Sequence, residues 1–394
     1  MRKSEKIIQF FFVGVILLVI AVFCVLNIRR FCETFAEHLS GKSQEAETEY
    51  KEVFASIETD FQEKIYGKRQ MVNMYGLYQK SIDHTVVNNF QYVADDYGIL
   101  HMINDKENKT VDDFVVEMEK LQQFAQEREI PLLYVQAPNR EIVNQGTVIP
   151  EFNNDNNVEE QIVTKLNEKE IPVLDLRAEL DDGKGINFDL EDLFLHTDLH
   201  MQTDAEIWMA DKVAGYLEDN YSVKISNKEY LSDMSFYDKK AYPMLGNYGR
   251  EVGEYFVGLD EFDIYHPKFD TDFELHIIGE GAAERKGTFE EAVLNGYEQS
   301  KHDEYTYWVT NFGAFPRPYY KYINNNQLET KILVIADCIP YRAFSYLALT
   351  VHETDILDPR YFDGTDYWSL AAQEDYDAIV VWQECYLLGY DIIP

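Results

Sequence analysis

The 394-residue chain is 46% hydrophobic, enough to build one large domain or two ordinary ones, and it is not a disordered tail. Its 71 acidic residues against 35 basic ones leave a formal charge of -36, so no broad basic surface is available and nucleic acid is excluded as a partner. Four cysteines do not make a disulfide framework; Cys24 and Cys32 lie in or beside the apolar N-terminal run, leaving Cys338 and Cys385 for the globular part.

Residues 7–27, IIQFFFVGVILLVIAVFCVLN, contain no charge. At about 1.5 Å of rise per residue they reach across a hydrocarbon core of roughly 30 Å. No small-residue cleavage site follows, so an uncleaved transmembrane anchor is expected. Arg2, Lys3 and Lys6 lean the orientation toward a cytoplasmic N-terminus of residues 1–6 and an extracytoplasmic main domain. The charged stretch 28–70 lacks proline and spaces Phe35, Tyr50, Phe54, Ile57 and Phe61 at helical intervals, which predicts a helical stalk. The main domain is then 71–394.

TVDD at 110–113 predicts the start of a helix striped by Phe114, Met118, Leu121 and Ala125, and PLLYVQ (131–136) reads as the strand after it. A second helix, striped by Val158, Ile162 and Leu166, precedes a strand at IPVLDL (171–176). Strand, helix, strand implies a right-handed parallel crossover. Asp198 and His200 fall in a loop feeding a helix that begins near Thr203 and buries Ile207, Ala210, Ala214 and Leu217. Residues 220–330 turn to short aromatic runs punctuated by Asp and Gly, which predicts hairpins inserted in the α/β sheet.

KILVIA (331–336) reads as a strand buried on both faces, with Asp337 and Cys338 at its C-terminal end and an amphipathic helix following from Tyr341. Open α/β sheets place their chemistry at such ends, and the N–H groups of that helix are candidate oxyanion donors. The bland alternative is a buried cysteine in a tight turn. YDAIVVW (376–382) supplies the last strand and runs into Cys385. If the two strands are parallel neighbours, Cys338 and Cys385 emerge at one edge, either as free thiols or as a disulfide. An acid, an imidazole and a thiol at a strand end match the needs of acyl transfer. Asp198 and His200 alone do not make a zinc site, so no metal is expected.

Several ordered blocks resemble the DHHW proteins and the alginate O-acetyltransferase-like members of the SGNH hydrolase superfamily. They are APNREIV (137–143), VLDL (173–176), TDLHM (197–201), GNYGREVG (246–253), TNFG (310–313), DCI (337–339) and DPRYF (358–362). The resemblance covers roughly residues 65–394. It implies an SGNH-hydrolase-like α/β domain, a parallel sheet flanked by helices with an aromatic-rich β insertion at about 220–330, tethered to the membrane. The implied activity is transfer or removal of O-acetyl groups on cell-surface or secreted polysaccharide, without a cofactor. By the same resemblance Asp198 orients His200, His200 is the general base and position 338 holds the nucleophile.

Three residues depart from the pattern: Leu199 for the first His, Met201 for the Trp, and Cys338 for the serine. The last opens a second reading, a non-catalytic relative that binds glycan or organises a membrane-bound O-acyltransferase. Gly246, Asn311, Asp337 and Arg342 are further candidate substrate or oxyanion contacts. Surface salt bridging is the competing role for Arg342 and Arg360.

Overall fold

The computed structural model describes residues 3–41, 57, 61, 64–88, 91–102, 111–140, 155–182, 188–279, 281–294, 317–327, 329–362, 364–384, 387–388 and 390–393. Two compact units are present, residues 1–78 and 79–394.

The first unit is built on a helix, Lys3–Gly41, in which Phe10–Ala36 has a mean hydropathy of 3.0 over its most apolar window. It is the one helix among the described residues that is long and apolar enough to cross a membrane. Of the expected stalk at 28–70, residues 28–41, 57, 61 and 64–70 are described. The helix runs on past residue 28 without a break, and Phe61, Lys64 and Tyr66 contact it. Asn27 Oδ1 accepts from the Tyr66 N–H at 2.6 Å, Arg30 Nη1 donates to the Lys64 carbonyl at 2.6 Å, and Phe31 meets Phe61 edge-on at 5.2 Å. A polar Asn27 at the end of the apolar run is the reason, because its amide supplies a partner for backbone that returns. A second helix, Lys68–Ser81, follows.

The second unit opens with a small antiparallel sheet, β1 (Val86–Val87), β2 (Tyr92–Ala94) and β3 (Leu100–Met102). Its main sheet has eight strands in the order β5-β4-β13-β11-β12-β10-β8-β9. These are β4 (Leu132–Gln136), β5 (Val173–Asp175), β8 (Phe273–Ile277), β9 (Ala283–Gly287), β10 (Tyr319–Asn324), β11 (Lys331–Ala336), β12 (Glu353–Leu357) and β13 (Ala378–Gln383). From β5 to β12 every neighbouring pair is parallel; from β12 outward through β10, β8 and β9 every pair is antiparallel.

Pleating sorts the parallel strands into two cores. Leu133, Val135, Ile332, Val334, Val380 and Trp382 face the helices Thr203–Tyr221 and Tyr341–Leu347. Leu132, Tyr134, Leu333, Ile335, Ile379 and Val381 face the helices Val111–Glu127 and Asp155–Glu168. Fully burying one such aliphatic side chain contributes about 1.5–3 kcal/mol, so continuous apolar runs are what this position in a sheet requires.

The predicted hairpins occur, but they do more than decorate. β8, β9 and β10 extend the main sheet, while β6 (Tyr237–Met244) and β7 (Asp260–Pro267) form a separate pair. Two further expectations are corrected. The strand at 171–176 gives way to a helix, Leu176–Asp182, after three residues. The helix Tyr341–Leu347 is not amphipathic: all seven residues are buried.

Candidate active site

The C-terminal ends of β4, β11 and β13 lie together at the middle of the parallel half, where the strand order reverses and where open α/β sheets bind ligands. Gln136 ties two of these ends, donating from Nε2 to the Glu384 carbonyl at 2.8 Å. β11 delivers Asp337 and Cys338 to this edge. Asp337 closes the turn by accepting from Ile339 N–H at 2.9 Å and, across the strands, from Glu384 N–H at 3.1 Å. Burial raises its carboxyl to about 6, against the opposing pull of Arg360 and the two amides. Both bonds shape the turn that carries Cys338.

The loop 195–202 brings the acid and the imidazole. Asp198 Oδ1 meets His200 Nδ1 at 2.5 Å, its second oxygen accepts from Asn247 N–H at 2.8 Å, and its side chain is fully buried. Burial opposes both charges, yet each partner supports the other. Asp198 is lowered to about 2, chiefly by the His200 charge and hydrogen bond, and His200 is raised to about 9 by Asp198 and then by Cys338. The outer nitrogen, Nε2, is buried and makes no hydrogen bond of ordinary geometry, although the Cys338 sulfur is close enough to raise the ring's basicity. The two approach without bonding, as catalytic pairs in unliganded sites often do. Tyr341 packs edge-on to the imidazole at 5.5 Å.

Cys338 is a free, partly exposed thiol. Arg360 Nη1 donates to its sulfur at 3.2 Å while the same guanidinium grips Asp358 through Nε (2.9 Å) and Nη2 (2.6 Å). One sulfur therefore stands between a guanidinium and an imidazole that carries its proton at neutral pH, the electropositive setting in which reactive cysteines occur. Surface salt bridging is corrected for Arg360: at 12% side-chain exposure it faces inward.

Arg342 is fully buried, donates to Glu206 through Nε (3.0 Å) and Nη2 (2.5 Å) and to the Met201 carbonyl at 2.5 Å, and so pins helix 203–221 to helix 341–347. Of the helix N–H groups considered as oxyanion donors, that of Ala343 is taken, since Glu206 Oε2 accepts from it at 2.8 Å. Gly246 also spends its N–H, donating to Thr197 Oγ1 at 2.8 Å. Its value is its size: a Cβ there would sit 2.3 Å from Asp198 Cβ and 2.5 Å from the Thr197 carbonyl oxygen. Asn311 and Cys385, with the disulfide considered for Cys385, lie outside the described residues.

Two residues that hold the loop carried no functional reading in the sequence. Arg140 donates from Nη1 to the carbonyls of Leu195 (2.8 Å) and Asp198, and from Nη2 to that of His196 (3.4 Å). Asp260 accepts from the N–H groups of His196 (2.7 Å) and Thr197 (2.9 Å) and from Thr197 Oγ1 (2.5 Å). Arg140 was legible as the basic residue of the APNREIV block; nothing marked Asp260 among 71 acids. Met201, in place of the expected Trp, is completely buried and packs the loop into the core. His196 and His200 are four apart in the chain. Among the described residues the one group of three ligand atoms within 4.8 Å is Glu274, His276 and Glu284, on β8 and β9.

At the level of sequence no family model and no curated protein matches the chain. Solved structures do. PatB1 of Bacillus cereus superposes with a TM-score of 0.58 at 14% identity, covering 75% of this chain and 96% of its own. The same protein with a sulfonyl adduct gives 0.57 at 14%, covering 75% and 94%. A DHHW family protein from Eubacterium siraeum gives 0.53 at 14%, covering 76% and 92%. The DHHW name is the one suggested by the ordered blocks, and the shared architecture is an SGNH-hydrolase-like α/β fold.

Proposed function

We propose that the chain is a membrane-anchored, extracytoplasmic O-acetyltransferase or acetylesterase acting on cell-surface or exported polysaccharide, with Cys338 as nucleophile. The observation that carries the reading is the placement of one free sulfur between Arg360 and the Asp198-held imidazole of His200. In this scheme the Cys338 thiolate attacks the acetyl carbonyl carbon, forming a C–S bond as the ester C–O bond breaks, and the His200 imidazolium gives its proton to the departing sugar oxygen. His200, now neutral, takes a proton from water or an acceptor hydroxyl, whose oxygen attacks the thioester and returns the sulfur as thiolate. Asp198 keeps the ring oriented throughout.

A second reading has its own support: the chain as a non-catalytic glycan-binding or scaffolding partner of a membrane acyltransferase. His200 raised to about 9 is the wrong protonation state for a serine-type base, and the N–H groups of Ala343 and Gly246 are committed elsewhere. Hydrolysis of p-nitrophenyl acetate, paired with iodoacetamide labelling of Cys338 across pH, separates the two. The catalytic reading expects rapid labelling near neutral pH that slows in His200→Ala, and turnover lost in Cys338→Ala. A Cys338→Ser variant needs neutral His200, so its hydrolysis should climb toward pH 9. Slow labelling indifferent to His200, with no turnover in either protein, rejects the catalytic reading.

A further inference from the structure

The long N-terminal helix is tied to the start of the helix that follows it. Asn27 and Arg30, where the apolar run gives way to charge, bond the backbone of Tyr66 and Lys64, and the Arg30 guanidinium lies over the Tyr66 ring at 5.5 Å. Two residues further on, the helix Lys68–Ser81 begins. Its 14 residues make it about 21 Å long.

The faces of this helix are inverted for water. Met71, Met74, Tyr75 and Tyr78 recur at i, i+3, i+4 and i+7, the spacing of one apolar stripe, yet each is 49–59% exposed. Asn73, Gly76 and Gln79, on the opposite side, are buried. A surface helix of a soluble protein does the reverse and turns its apolar stripe to the core. A contiguous apolar face left outside calls for something to cover it.

Charge identifies the cover. Across 64–82 the sequence carries Lys64, Lys68, Arg69 and Lys80 and not one acid, although the whole chain stands at -36. Bases at both ends of a helix, with tyrosine and methionine along its open face, suit a lipid interface, where the bases meet anionic headgroups and tyrosine rings sit at headgroup level. We propose that helix 68–81 lies in the headgroup layer of an anionic bilayer, with the stripe from Met71 to Tyr78 toward the acyl chains. The inference rests on the anchored reading in one respect: that reading sets the depth of Tyr66, through Asn27 and Arg30, at the edge of the hydrocarbon. In consequence the chain leaves the bilayer surface after residue 81 and not after residue 28.

The test is carbene photolabelling of the full-length chain in vesicles of mixed phosphatidylcholine and phosphatidylglycerol, with a phospholipid that carries a diazirine near the top of one acyl chain, followed by peptide mapping. Label should appear on Met71, Met74, Tyr75 and Tyr78 as well as on residues 10–36, and at least about fivefold less on Asn73 and Gln79. In phosphatidylcholine alone the label on 68–81 should fall about threefold or more while that on 10–36 stays constant. Lys68→Gln combined with Arg69→Gln and Lys80→Gln should bring a similar loss in the mixed vesicles. A labelled 10–36 beside an unlabelled 68–81 overturns the proposal and leaves the anchor standing. Label on 68–81 beside an unlabelled 10–36 supports the proposal and removes the anchor, and no label on either overturns both. Label spread evenly around the helix, or cross-linking of Tyr75 or Tyr78 to another protein in place of lipid, would also overturn it. Ester turnover plays no part in the readout, so a failure of the catalytic reading leaves this result intact.

Discussion

The two halves of the candidate site are held in different ways. The loop carrying Asp198 and His200 is fixed from four directions: Arg140 on its carbonyls, Asp260 on its amides, Gly246 and Asn247 beneath the carboxylate, and Arg342 on Met201. The turn carrying Cys338 is shaped by Asp337, and among the described residues the sulfur has one hydrogen-bond partner, Arg360. The imidazole is therefore oriented by a lattice of neutral and charged hydrogen bonds, whereas the sulfur is controlled chiefly by charge. Mutations on the first side should act through geometry and stability, and those on the second through reactivity.

The strongest test of that division removes the imidazole. His200→Ala should lower ester turnover by about 10²–10⁴ and, because it strands Asp198 as a buried carboxylate, should also cost about 3–5 kcal/mol in unfolding. Turnover within tenfold of the parent would show that the oriented side is not catalytic. Next comes Arg342→Met, which strands Glu206 as a buried charge and should cost about 3–5 kcal/mol in denaturant unfolding. If it proves neutral, the Glu206–Arg342 pin is not what holds the two helices. Gly246→Ala forces Asp198 and Thr197 apart and should cost about 1–3 kcal/mol while lowering the imidazole's proton affinity, read by the His200 NMR titration. Arg360→Lys belongs to the other side. It should spare stability but slow iodoacetamide labelling of Cys338 several-fold near neutral pH, since an ammonium cannot grip Asp358 at two points and still reach the sulfur.

The smallest effect is that of pH on folding. His200 is raised above its unfolded value, so the stability it contributes is complete below about 6.5 and fades as pH rises through about 9. Asp198 is depressed, so the same ion pair is lost from the acid side as pH falls below about 3.8 toward 2. Denaturant unfolding between pH 5 and 10 should show an alkaline decline that is absent in His200→Ala.

Much of the scaffold could be read before folding because burial on both faces leaves its mark on short stretches. The apolar runs PLLYVQ, KILVIA and AIVVW became β4, β11 and β13, and the spacing of Phe114, Met118 and Leu121 became a helix. The site was legible only in its ends, Asp198, His200 and Cys338, which stand in local blocks. Its supports were not, because each is a contact between distant parts of the chain. Asp260 reaches residues more than sixty positions away, and Glu206 meets Arg342 across 136. That same pairing explains the misread helix: a buried guanidinium looks like a polar face until its carboxylate is in place. β8 to β10 escaped for a related reason, since aromatic alternation announces a strand without saying which sheet it joins.

The central position of β13 bears on how the molecule is made. It comes later in the chain than every other described strand, yet it lies between β4 and β11 and completes both. Gln136 and Glu384, joined by one hydrogen bond, are separated by 248 residues. A chain emerging from its N-terminus can form β4 with β5, and later β11 with β12, only as two unfinished sheets with facing open edges. Such edges invite pairing with other chains, and closing so long a loop is slow. The step that joins the halves is the same one that gathers the three strand ends beneath Cys338, so assembly of the candidate site and completion of the fold are a single, late event.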